Sequence, residues 1–126
     1  MIYGIGTDIV RVVRMQQNIE RYGEKFAERI LTVAERDDYN RELRKAHFLA
    51  KRFAAKEAAA KAMGTGFSDG LALHHIGVSH DAAGKPQLVF SGYAAEFIRA
   101  KGITGVHVSL ADEDDHAVAF VTLSID

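Results

Sequence analysis

Residues 48–66, FLAKRFAAKEAAAKAMGTG, constrain this chain more than any other stretch. Ala, Leu, Lys, Arg, Glu and Met are strong helix formers, and no Gly or Pro interrupts them before Gly64, so the run predicts one long helix for the other elements to pack around. Gly64 is placed to end that helix in the left-handed conformation. The charges are one-sided: Lys51, Arg52, Lys56 and Lys61 surround the single acid Glu57, and Lys45 lies just upstream. Because the whole chain balances 16 Lys and Arg against 17 Asp and Glu, such a local basic cluster points to a place where a polyanion lies. With about 100° of turn per residue, Glu57 shares its face with Ala50, Phe53, Ala54, Ala60, Lys61 and Gly64, a carboxylate among small residues with an ammonium one turn away. A Glu–Lys pair at this spacing is also common on solvated helices, contributing roughly 0.2–0.5 kcal/mol, so the helix alone does not decide the matter.

At 126 residues the chain is read as one domain, 1–126, long enough to bury a core without staples. The absence of cysteine excludes disulfides and zinc–thiolate sites. The opening MIYGIGTDIV has no basic segment followed by an apolar one, and no run is long enough to span a bilayer. A soluble cytoplasmic protein with no membrane partner is expected. The net charge of −1 argues against a general nucleic-acid binder, which needs a basic excess.

Residues 2–9 alternate as a strand, with Tyr3, Ile5, Thr7 and Ile9 on one face and Ile2, Gly4, Gly6 and Asp8 on the other. Two glycines weaken a strand, and close approach of a backbone or a ligand is the usual reason for them; a bulge, with Asp8 capping the next helix, is the competing one. A helix follows from about residue 10 to 22, its apolar stripe of Val12, Met15, Ile19 and Tyr22 flanked by Arg11, Arg14 and Arg21. Gly23 closes it, a short helix covers about 24–30, and Thr32 with Glu35 has capping-box spacing for a third that runs into or kinks before the central helix. After GTG the pattern turns to β: a strand at 73–80, a turn at 82–86, its partner at 87–90, a helix at about 92–101, and strands at 106–110 and 117–123 joined by the acidic DEDD loop. Val106, Val108 and Leu110 are expected inward, His107 and Ser109 outward. The last strand, apolar almost throughout, reads as a central strand covered on both faces. The fold class is α+β, a mainly antiparallel sheet packed against a long central helix.

Asp8 and Glu57 are the acids in small-residue surroundings, and two such oxygen ligands suit Mg²⁺, which keeps several waters and commonly bridges one or two carboxylates to substrate phosphates. Lys61, Arg52 and the GTG segment would neutralise and cradle those phosphates, glycine letting backbone N–H groups approach. Of the six histidines, His107 stands out beside Gly105 and Ser109 on a small polar face, where it could contact a phosphate or move a proton.

GIGTDIV at 4–10, FAAKEAAAKAMGTG at 53–66, GKP at 84–86 with SGYA at 91–94, and HVSL at 107–110 together resemble the holo-acyl-carrier-protein synthases, the small bacterial 4′-phosphopantetheinyl transferases. The resemblance extends from Gly4 to the closing AVAFV strand. It implies the fold of that family and an enzyme of fatty acid biosynthesis that moves 4′-phosphopantetheine from coenzyme A to a serine of an apo acyl carrier protein, releasing adenosine 3′,5′-bisphosphate. Asp8 and Glu57 would be the Mg²⁺ ligands and, with Lys61, the catalytic set. Lys45, Arg52, Lys61, Gly64, Thr65, Gly66, Pro86 and His107 would bind coenzyme A; Arg14 and Arg21 would receive the acidic carrier protein. Family members of this size are homotrimers with sites between neighbours, so Pro86, His107 and the region near His80 would serve an adjacent subunit. The chain departs from the family at Ala111, where Ser or Thr is usual, and any hydroxyl role there is lost. The base that accepts the serine proton is open among Glu57 acting through water, Asp8, and direct loss to solvent. A binding module holding RNA or an acidic protein on the basic helix is the reading from another class, and a family member retaining only coenzyme A binding is a third.

Overall fold

Gly4 and Gly6 set how closely the first strand meets the central helix. In the computed structural model, which describes residues 1–68 and 70–126, strand β1 (Ile2–Arg11) lies directly on helix α4 (Lys45–Met63). A Cβ on Gly4 would stand 2.0 Å from the Ala62 carbonyl oxygen, and one on Gly6 2.0 Å from that of Ala58. Backbone approach, not a ligand, therefore accounts for both glycines. The helix side of the contact is equally small: Ala54, Ala55, Ala58, Ala59 and Ala62 are buried. Good helix propensity and minimal side chains let α4 run through the middle of the molecule rather than lie on it.

Between β1 and α4 the chain makes α1 (Val12–Tyr22), α2 (Glu24–Ile30) and α3 (Val33–Arg41). Gly23, at φ 66°, separates the first two. Thr32 and Glu35 form the anticipated capping box, each side chain bonded to the other's backbone N–H. α3 stops at Arg41 instead of running on; Lys45 Nζ donates to the carbonyls of Tyr39 (2.7 Å) and Glu42 (3.0 Å), closing the break with a cation at a helix C-terminus.

Downstream, a 3₁₀ turn at Leu73–His75 replaces the first residues of the expected strand, leaving β2 (Ile76–His80) to pair with β3 (Pro86–Phe90). Helix α5 (Gly92–Ala100) leads to β4 (Gly105–Asp112) and β5 (His116–Ser124). The main sheet is antiparallel in the order β1-β5-β4, so β5 is central, and the β2–β3 hairpin forms a second, smaller one. Val121 and Leu123 face α4 with no exposure, each burial worth roughly 1.5–3 kcal/mol.

β5 is not covered on both faces within the chain. Its residues alternate, and pairing of Thr7 with Phe120 and Ile9 with Val118 puts these on the side away from α4. There Ile5 (58% exposed), Ile9 (64%), Val118 (37%) and Phe120 (45%) form an apolar surface that continues onto β4, where Ser109 pairs with Phe120 and Ala111 with Val118. Val106, Val108 and Leu110 are half-buried and His107 and Ser109 exposed, as the alternation predicts. Among the described residues no helix is long and apolar enough to cross a membrane.

Candidate active site

Strand alternation sends Asp8 to the α4 side of the sheet, two positions beyond Gly6, and the same close contact brings it to the helix face carrying Glu57 and Lys61. Lys61 Nζ lies 3.1 Å from Asp8 Oδ1 and 3.0 Å from the Thr7 carbonyl oxygen. Asp8 is mostly covered, its side chain 17% exposed, whereas that of Lys61 is 52% exposed, so the pair sits at the rim of the strand–helix contact. Glu57 is half-buried. Burial first, and the Asp8 charge second, push its carboxyl above the usual range, with Lys61 and Arg14 pulling the other way. Two acids distant in sequence are thus near enough for the charge of Asp8 to act on Glu57, with Lys61 and Arg14 acting on it too.

That donor set fits a hard divalent cation. Burial and the Asp8 charge both disfavour ionisation of Glu57, a cost that a nearby cation relieves, and neither acid is fully buried. Among the described residues no group of three or more Asp, Glu or His gathers as a transition-metal site requires, so an ion held here would complete its shell with water and phosphate oxygens, as Mg²⁺ does.

The remaining candidates are distributed differently. The Arg14 guanidinium stacks 5.6 Å over Phe53 on the Glu57 side of α4. Arg21 lies in the last turn of α1, 5.3 Å over the Tyr22 ring. Gly64 adopts the left-handed conformation at φ 82°, and the N–H groups of Gly64, Thr65 and Gly66 all turn back to the Ala60 carbonyl, that of Gly64 also to Lys61. These N–H groups are thus directed to the end of α4, and the glycines leave open space beside it, since a Cβ at Gly64 or Gly66 would meet nothing within 4 Å. Lys45 is engaged by the end of α3 and packs 4.7 Å over the Tyr39 ring, away from Asp8.

Arg52 does not join Lys61. It is 5% exposed, stacks 4.4 Å over Phe48, and its Nε lies 3.5 Å from Glu35 Oε2. Together with Lys51, His80 and Pro86 it lines a groove of about 970 Å³ between α3, α4 and the hairpin, and that groove contains none of Asp8, Glu57 and Lys61. Burial, then Arg52 and Lys51, hold the His80 imidazole below its ordinary pKa, with Asp38 and Asp81 acting against them. His107 and Ala111 belong to the outer sheet face, opposite Asp8. Strand alternation alone keeps them from the acid pair within one chain.

A sequence model of the 4′-phosphopantetheinyl transferase superfamily matches residues 4–121. The chain belongs to this superfamily. It is 54% identical over 123 residues to the holo-[acyl-carrier-protein] synthase of Halorhodospira halophila, covering 98% of each chain. With that of Nitrosococcus oceani the identity is 55%, over 98% of this chain and 80% of the relative. Among solved structures, the holo-[acyl-carrier-protein] synthase of Neisseria meningitidis superposes with a TM-score of 0.94 at 43% identity, covering 98% of this chain and 99% of that one. The Bacillus anthracis synthase, solved in complex with CoA (3′,5′-ADP), does so with 0.84 at 38%, covering 100% and 99%. The expected enzyme class and the α+β transferase fold are both met.

What sequence reasoning missed in this transferase is the fate of Lys56. Read as part of a basic surface, it is fully buried, with Nζ 2.6 Å from Glu35 Oε1. Lys56 and Arg52 are four residues apart and turn to the same acid on α3, while Lys61 turns to β1. The basic cluster is therefore divided among separate environments, which removes the feature on which an RNA-binding helix rested. The signal available was Glu35 itself, an acid in the short segment preceding a helix rich in uncompensated cations.

Proposed function

We propose that this chain, as one catalytic domain, transfers 4′-phosphopantetheine from coenzyme A to a serine of an apo acyl carrier protein, with Mg²⁺ held by Asp8 and Glu57. The observation that carries this reading is the meeting of Asp8 and Glu57 beside Lys61, in a chain whose relatives at 54% and 55% identity are holo-[acyl-carrier-protein] synthases. The serine oxygen forms a bond to the β-phosphorus of coenzyme A as the bond from that phosphorus to the bridging oxygen breaks; adenosine 3′,5′-bisphosphate leaves, and the serine proton is lost.

Little covalent chemistry falls to the protein in such a transfer, so positioning and charge neutralisation provide most of the rate. When bound, Mg²⁺ would neutralise charge on the pyrophosphate oxygens. Lys61, half exposed beside Asp8, is placed to turn its ammonium onto a phosphate oxygen as charge develops there. Glu57, half-buried on the α4 face beside Lys61, is placed to take the serine proton through an intervening water. Arg14, whose charge already acts on Glu57, lies between the acids and the outer surface of α1, where with Arg21 it would meet the acidic carrier. The groove beside Arg52, Lys51 and Pro86 would hold a further part of coenzyme A.

The apolar outer face of the sheet supports a homotrimer as the working form. Four exposed large side chains on one sheet surface are a cost to a monomer and a driving force for association. His107 on that face would then stand toward a neighbour's coenzyme A, and Ala111 would contribute packing where a hydroxyl is usual. A cytoplasmic location and a role in fatty acid biosynthesis accompany this reading.

Incubation with coenzyme A, Mg²⁺ and an apo carrier protein should raise the carrier's intact mass by one phosphopantetheine group, and EDTA should abolish the gain. No mass increase, with a known transferase succeeding on the same carrier, would overturn the assignment.

A further inference from the structure

A second cluster of charge is buried behind the groove wall, apart from Asp8, Glu57 and Lys61. Glu35 is 1% exposed, Lys56 0% and Arg52 5%. Glu35 Oε1 accepts from Thr32 N at 2.9 Å and from Lys56 Nζ at 2.6 Å. Its Oε2 accepts from Val78 N at 2.9 Å and faces Arg52 Nε at 3.5 Å. Lys56 donates in addition to the Ile76 carbonyl. One carboxylate therefore ties together the first turn of α3, two successive turns of α4, and β2.

These are the elements whose edges form the 970 Å³ groove: Asp38 from α3, Lys51 and Arg52 from α4, Ser79 and His80 from β2. Pro86 of β3 and Leu110 and Asp112 of β4 also line it, and the three elements named first are pinned together at one point behind the wall. Stability alone is a weak reason for such a pin, because well-packed apolar residues commonly replace a buried ion pair at no loss. Geometry is a better one. Arg52 has a buried Nε with no hydrogen-bond partner, so the Glu35 charge and the Phe48 ring are what orient its guanidinium. Without the Glu35 charge, Arg52 and Lys56 would be two like charges facing each other in the interior, and one would have to move.

We propose that Glu35 is a positioning residue for coenzyme A: backed by Lys56, it holds Arg52 and strand β2 in the arrangement that makes the groove a fit for an anionic part of that substrate. The proposal rests on the reading of the groove given above.

Glu35→Gln keeps a capping acceptor for Thr32 but removes the charge. Lys56→Met removes the opposing one, and the double variant removes the Glu35–Lys56 pair while leaving Arg52. In Glu35→Gln the KM for coenzyme A and its Kd by calorimetry should rise about tenfold, while kcat at saturating coenzyme A and the KM for the carrier stay within about twofold of wild type. The double variant should recover thermal stability yet keep the raised KM and Kd. A variant that melts earlier but binds coenzyme A like wild type would make Glu35 a purely structural residue and overturn the proposal; if Glu35→Gln does not fold, the double variant decides the matter on the same terms. A wild-type chain that binds coenzyme A but transfers nothing would sink the proposed function and leave the Glu35 comparison standing. One that does not bind coenzyme A would sink both.

Discussion

Asp8 and Glu57 show how much a residue's meaning depends on what faces it. Both acids were picked out in the sequence as one pair, because glycine and alanine around them announced a close approach; that Asp8 would be mostly covered and tied to Lys61 by a hydrogen bond was not. Asp8→Ala and Glu57→Ala should each lower the transfer rate by at least about a hundredfold with the far-UV circular dichroism spectrum unchanged. Lys61→Ala should lower kcat/KM for coenzyme A by about ten- to a hundredfold. Glu57 also sets a pH dependence. Its folded-state pKa lies above the unfolded value, so the folded chain keeps the proton longer; the cost of ionisation is absent below the unfolded pKa, present above the folded one, and stability falls as pH rises between them. Glu57→Gln should therefore melt about 2 °C higher than wild type in EDTA at neutral pH, with the gap closing toward pH 4. A gap that persists in acid would mean the effect is not ionisation.

The α4–β1 contact is the element on which the site depends, since no other pairing delivers Asp8 to Glu57. Gly6→Ala tests it: with a Cβ 2.0 Å from the Ala58 carbonyl and 2.7 Å from the Ala62 amide nitrogen, strand and helix must separate. The expected cost is about 3 kcal/mol in urea denaturation, with transfer activity falling by more than the unfolded fraction explains. The helical elements were largely readable, through the capping box at Thr32, the glycine at position 23 and the unbroken run into Gly64. The hairpin was less so. Residues 73–75 carry strand-like composition but close a 3₁₀ turn, where the His75 ring accepts from the Ala72 N–H, a local side-chain bond that alternation does not reveal.

At the scale of the whole molecule, the apolar outer face of the sheet is the surface that the proposed trimer would bury. Phe120→Asp should convert a trimer to monomers by sedimentation velocity, and in the same variant transfer should fall if residues such as His107 serve a neighbouring site. A variant that stays trimeric would place the interface elsewhere. By itself the sequence determined the helices, the strand alternation, the small residues around Asp8 and Glu57 and the family pattern they belong to, because these follow from local propensity and short-range spacing. Only the tertiary structure decided which cations stand with which acids. A helix fixes the direction of each side chain but not what lies in that direction, so Lys61 went to Asp8, Lys56 and Arg52 to Glu35, and Lys45 to the end of α3, each chosen by the element packed against it.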